Sequence, residues 1–112
     1  MDTIFEVLAE RRRRQILDLV RGGERSVTEL AARLTMNQPA VSKHLRVLRD
    51  AGLVRVRVDE QRRLYRRAPG PLRELDDWLA PYRATWAASL DKLAAHLDEM
   101  DDAAAAAETG ER

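Results

Sequence analysis

The sequence contains no cysteine. That excludes a disulfide framework, thiolate metal sites, iron–sulfur clusters and a cysteine nucleophile. Aromatic residues make up only 4% of the chain, so the core must be built mainly from Leu, Val and Ile. No apolar run reaches the ~18 residues of a membrane span, so no membrane partner is expected. The start, Met1-Asp2-Thr3-Ile4, has no basic segment ahead of an apolar one. No signal peptide is therefore expected, and the cytoplasm is the expected compartment. Ser, His and Asp all occur, but nothing places them together. With no phosphate-cradling loop, metal motif or nucleophile elbow, neither an enzyme nor a cofactor is expected.

What is present is a short, highly charged chain. Its 112 residues suit one domain, and 45% hydrophobic with 35% charged residues suits a globular one. Seventeen of the apolar residues are alanines, which bury little area each. A chain this small buries only roughly two-thirds of its unfolded surface, so a partner subunit would help it. The net charge of +1 hides a division. Residues 1–68 hold 16 Lys/Arg against 9 Asp/Glu, a net of +7. Residues 69–112 hold 4 against 10, a net of −6. Only the first part is suited to face a polyanion. Fifteen of its sixteen cations are Arg, the side chain that grips phosphate or guanine bidentately.

The apolar spacing predicts helices over Thr3–Ala9 and Glu10–Val20, the second stopped by Gly22-Gly23. Ser26 with Glu29 has the spacing of a capping box, opening a helix over Val27–Leu34. Thr35-Met36-Asn37 is long enough only for a turn. Asn37 caps the next helix, which tolerates Pro39 in its first turn and ends near Asp50. Gly52 is placed to take the left-handed position behind it. The period then changes. Leu53 to Val58 alternates apolar and basic residues as a half-buried strand does, and Arg62 to Arg67 returns after Asp59-Glu60-Gln61. Beyond Pro69-Gly70-Pro71, apolar residues recur at spacings of three and four from Leu72 to Leu97. Pro81 lies inside this stripe and predicts a kink or a short break.

The predicted fold is mainly α: a winged helix-turn-helix with a two-stranded hairpin wing and a long C-terminal dimerisation helix. A single domain spans 1–100. It comprises the helix-turn-helix (26–50), the wing (53–68) and dimerisation helices (3–9 and 71–100). Residues 101–112 are expected to form a disordered acidic tail. In such a fold the second helix of the pair enters the major groove and the wing reaches the flanking backbone or the minor groove. On the helix from Gln38, the residues Val41, Leu45 and Leu48 point one way. Pro39, Ser42, Lys43 and Arg46 point the other, with Gln38 and His44 on the flanks. The amide of Gln38 is suited to adenine, Lys43 or Arg46 to guanine, and Ser42 to a base edge or phosphate. Asn37, Pro39 and His44 complete this candidate surface, and Arg57, Arg62 and Arg63 are the candidate wing contacts. The run Arg11–Arg14 divides between phosphate contacts and surface capping, and Tyr65 is expected beneath the sheet.

Several of these segments resemble one family. Ser26-Val27-Thr28-Glu29-Leu30-Ala31, the run Gln38-Pro39-Ala40-Val41-Ser42-Lys43-His44-Leu45, Leu48, Ala51-Gly52-Leu53-Val54 and Arg62-Arg63-Leu64-Tyr65 look like an ArsR-type winged-helix transcriptional regulator. The likeness covers about Thr3 to Leu97. It implies a dimeric repressor that binds double-stranded DNA at an operator near its own gene and releases it on a signal. It also implies that the first and last helices build the interface between subunits. The sequence departs from the family at two points. Thr35 stands where glycine is frequent, and the cysteine pair with which many members sense metals is absent. The last helix offers only His96 among Asp91, Asp98 and Glu99, so no metal site is expected.

A palindromic operator needs a two-fold protein, and a homodimer is expected. The candidate interface comprises Ile4, Phe5, Leu8, Leu79, Tyr82, Trp86, Leu90, Leu93 and Leu97. Trp78, Tyr82 and Trp86 are a candidate lining for an effector pocket. The alternatives are a winged-helix protein-interaction module and a small-molecule-responsive regulator of another family. The charged Gln38–Arg46 surface argues against the first.

Overall fold

Residues 2–110 are described by a computed structural model. Five helices and three strands follow one another: α1 (Asp2–Ala9), α2 (Arg11–Arg21), β1 (Arg25–Ser26), α3 (Val27–Leu34), α4 (Gln38–Asp50), β2 (Val54–Asp59), β3 (Arg62–Arg67) and α5 (Gly70–Gly110). The chain divides into two compact units, one through Asp76 and one from Asp77. The single unit expected over 1–100 is thus divided within α5.

In the first unit, Ile16, Val20, Leu30, Val41, Leu45, Leu48 and Leu53 are completely or almost completely buried and join Ile4, Val7, Ala31, Val54 and Tyr65 in one core. Helix α3 opens as its sequence predicts. The Ser26 hydroxyl accepts from the Glu29 N–H at 3.1 Å, and the Glu29 carboxylate accepts from the Ser26 N–H at 3.4 Å. The Ser26 bonds, the backbone one foremost, hold the Glu29 carboxyl below its ordinary value. Asn37 caps α4 by accepting from the Ala40 N–H at 2.8 Å.

The two helices of this pair end alike. Behind α4, Gly52 takes φ +78°, its N–H donates to Arg49 O, and the Leu53 N–H donates to Leu48 O, both at 2.9 Å. Behind α3, Thr35 takes φ +53°, its N–H donates to Ala32 O, and the Met36 N–H donates to Ala31 O. Both are the left-handed stop that satisfies the last carbonyls of a helix. Glycine enters that conformation without steric cost, whereas a β-branched residue is strained there.

The sheet is antiparallel with order β1-β3-β2, so β2 is an edge. The expected two-stranded wing is present as β2 and β3, with Val54 opposite Arg67 and Asp59 opposite Arg62. The short β1 pairs with β3 as a third strand, Ser26 opposite Leu64. Two residues are too few to show a strand period, and Ser26 also serves as the cap of α3, which concealed this pairing from the sequence. Val54, Val56 and Tyr65 pack on the core, so the opposite sheet face carries Arg55, Arg57, Arg62 and Arg66.

The second unit is helix alone. The helix runs unbroken through Pro81, so the break expected as one alternative is absent, although that ring lacks the N–H that would bond Asp77. The rings of Trp78 and Tyr82 lie 5.1 Å apart. Tyr82, Trp86, Leu90, Leu93, Leu97 and Met100 are all exposed. The helix also extends over residues 101–110, part of the stretch expected to be disordered. Five consecutive alanines, the strongest helix formers, account for this. Residues 111 and 112 lie outside the described ones. No helix among the described residues is long and apolar enough to cross a membrane.

Candidate nucleic-acid interface

Helix α4 separates its faces cleanly. Val41, Leu45 and Leu48 are fully buried, while Asn37, Gln38, Pro39, Ser42, Lys43 and Arg46 are exposed. The core fixes the rotation of the helix through the first three, and that rotation turns the others outward. Lys43 and Arg46 take part in none of the ion pairs among the described residues. Gln38 is lightly held, its amide donating to Thr28 Oγ1 at 3.4 Å.

His44 differs from its neighbours. It is half-buried on the flank facing α2, and burial first, then the charge of Arg13, lower its pKa from the ordinary value. Glu10 opposes this, and Lys43 and Arg12 add to it. Burial and the neighbouring cations thus favour the neutral imidazole.

The wing residues divide by face. Arg63 shares a cleft of about 150 Å³ with Ser42, Arg46 and Arg49 of α4. Of the three candidate wing contacts it is the one that lines this cleft with the helix. Arg57 points from the other sheet face, and its Nε donates to the Glu24 carboxylate at 2.6 Å. That bond and the charge of Glu24 raise its already high pKa. Arg62 lies 3.7 Å from Asp59 across the hairpin end. The turn between them places Glu60 at φ +58°. Of the three candidate wing contacts, Arg63 alone is without an ion pair among the described residues.

Arg49 was not singled out from sequence. It lies seven residues after Ser42 and three after Arg46, and that helical spacing is the signal that finds it. The Arg12–Arg14 stretch is largely structural. Arg14 Nη1 donates to Leu8 O at 2.7 Å and Ala9 O at 3.1 Å, and Arg13 Nη1 donates to Val7 O at 3.4 Å and Glu6 O at 3.5 Å. These are the last carbonyls of α1, which a cation suits. Arg12 does the same for Leu34 O at the end of α3.

The residues expected between subunits fall into two groups. Tyr82, Trp86, Leu90, Leu93 and Leu97 are exposed on α5, Phe5 is exposed on α1, and Leu79 is half-buried. Ile4 is buried in the core of its own chain and Leu8 packs partly against that core. Ile4 therefore has no area left to give a partner, because the short α1 directs it inward with Val7. Among the described residues, no group of three or more His, Asp or Glu is arranged to hold a metal.

Comparison with known proteins places this geometry. The sequence model of "Bacterial regulatory protein, arsR family" matches residues 10–56, from α2 to the start of the wing. The HTH-type transcriptional regulator Rv2034 of Mycobacterium tuberculosis is 36% identical over 101 residues, covering 90% of this chain and 92% of that protein. The transcriptional repressor SdpR of Bacillus subtilis is 32% identical over 54 residues, covering 48% of this chain and 60% of the repressor. Among solved structures, the homodimeric winged helix-turn-helix DNA-binding domain Mb0332 of Mycobacterium bovis superimposes with a TM-score of 0.61. It is 34% identical, with 74% of this chain and 77% of that one covered.

Proposed function

The chain belongs to the ArsR family of bacterial DNA-binding transcriptional regulators, and from that premise we propose that it is a homodimeric repressor acting on a pseudo-palindromic operator. The observation that carries this reading is the divided α4. Its buried Val41, Leu45 and Leu48 leave Lys43 and Arg46 outward and, among the described residues, free of ion pairs. Two guanidinium or ammonium groups held clear of carboxylates on a fixed helix face are suited to base edges in a major groove. Gln38 and Ser42 add amide and hydroxyl recognition, and Arg63 follows the adjoining backbone.

The subunits meet through α5. A helix that exposes Tyr82, Trp86, Leu90, Leu93 and Leu97 along one stripe gains stability by burying them against a copy of itself. Two-fold pairing then presents two reading helices to two half-sites, about one helical turn apart. The protein acts by binding rather than catalysis, in the cytoplasm, on an operator near its own gene. The relatives support this reading: one is a repressor, and another is a homodimeric DNA-binding domain.

Selection of bound fragments from random DNA tests it. The expected result is enrichment of an inverted repeat whose half-sites lie about 10 base pairs apart. No enrichment in low-salt buffer would overturn the reading.

A further inference from the structure

An open cleft of about 540 Å³ runs along the edge strand β2 at the base of the wing. Its walls include Arg49, Arg55 and Arg66, with Gly52, Gly70 and Pro71 at one side, and no acidic residue among the described ones lines it. Arg55 and Arg66 are directly opposite each other across β2 and β3. Like charges in that relation destabilise a sheet.

Their neighbours are treated differently. On the same sheet face Arg57 is paired with Glu24 and Arg62 with Asp59, while Arg25 on β1 is paired with Glu29. Arg49, Arg55 and Arg66 appear in none of the ion pairs or side-chain hydrogen bonds among the described residues. Among the described residues, carboxylates thus meet the arginines around the cleft and not the three that line it. Three arginines lining one concave surface, none in an ion pair among the described residues, have the chemistry of an oxyanion site.

We propose that this cleft binds a phosphate-type oxyanion, held between Arg55 and Arg66 with Arg49 at the mouth. The group has two possible sources, a free phosphorylated small molecule or a backbone phosphate of a duplex running past the wing base. Arg49 also borders the cleft containing Ser42, Arg46 and Arg63, so an anion here touches the same arginine that flanks the reading surface. A free anion would draw Arg49 from that surface and weaken operator binding, whereas a duplex phosphate would strengthen it. The duplex source rests on the function proposed above; the free anion does not.

The test compares the wild type with the Arg55→Gln/Arg66→Gln double variant. Removal of facing like charges should leave the variant's thermal midpoint in chloride buffer equal to or above that of the wild type, which establishes its folding. For the free anion, inorganic pyrophosphate is titrated at constant ionic strength. The wild-type midpoint is expected to rise and the variant's to stay in place. For the duplex, the selected operator is compared with the same operator extended by one turn at each end. If DNA supplies the phosphate, the wild type gains affinity from the extension, the variant does not, and the variant's salt slope falls by about one. Either response supports the cleft. Neither response, or equal responses in both proteins, overturns it. Failure of the wild type to bind any duplex would sink the repressor reading and leave the pyrophosphate result to decide on the cleft.

Discussion

The two units of this chain solve the burial problem differently. The first, through Asp76, folds four helices and a small sheet around a core in which Ile16, Leu30, Val41, Leu45 and Leu48 are almost wholly removed from water. The second, from Asp77, is a single helix whose Trp86, Leu90 and Leu97 remain at least half exposed. The first is basic and its cations form a surface; the second belongs to the acidic part of the chain and its apolar residues form one. Hydrophobic side chains in the first unit therefore specify a protomer. The same kind of side chain in the second is left largely exposed by its own unit, and in the function proposed above it is the surface that meets a second copy.

Substitutions should separate these roles. Leu45→Ala removes a fully buried side chain and is expected to lower unfolding free energy by about 2–5 kcal/mol in chemical denaturation. A loss below about 1 kcal/mol would show that α4 is less firmly seated than its burial indicates. Leu90→Glu puts a charge on the exposed stripe. It is expected to raise the dimer dissociation constant at least about tenfold in sedimentation experiments. An unchanged constant would remove Leu90 from the interface.

Smaller effects test the turn between α3 and α4. Thr35→Gly relieves a left-handed threonine but gives the unfolded chain more freedom. Its expected net gain is about 0.5–1 kcal/mol, read from the denaturation midpoint. A loss would mean that the threonine side chain contributes more than its backbone costs. The smallest effect is at His44. Its pKa in the folded chain lies below the ordinary 6.5, through burial and the nearby Arg13. Between those two values the unfolded chain binds more protons. The associated stability is full above about pH 6.5 and is lost as pH falls through the folded-state value. His44→Gln should flatten the stability profile below about pH 6.5. Retention of the wild-type slope would assign that slope to another group.

Much of the reading head was legible because its signals are local. Ser26 and Glu29, Asn37 and its first turn, and Gly52 behind Asp50 each act within one helical turn, so spacing alone locates them. The exposed face of α4 followed from the period of Val41, Leu45 and Leu48. What the sequence concealed depends on long-range contact. Glu24 meets Arg57 across 33 residues, and Arg12 reaches Leu34 across 22, so their charges look unassigned in one dimension. Ile4 lies on the same apolar side of α1 as Phe5 and Leu8, yet packing turns it into the protomer's core. The acidic terminal stretch was expected to lack structure because it has no apolar face. Alanine propensity, which needs no such face, carries the helix onward.

The most direct measurement is a binding titration of the selected operator, at fixed salt, with the wild type and with Lys43→Ala/Arg46→Ala. The double variant should fold as the wild type does, because both side chains are exposed and in no ion pair among the described residues. If the outward face of α4 reads the groove, its affinity falls by about 100-fold or more. Equal affinities for the two proteins would contradict that assignment.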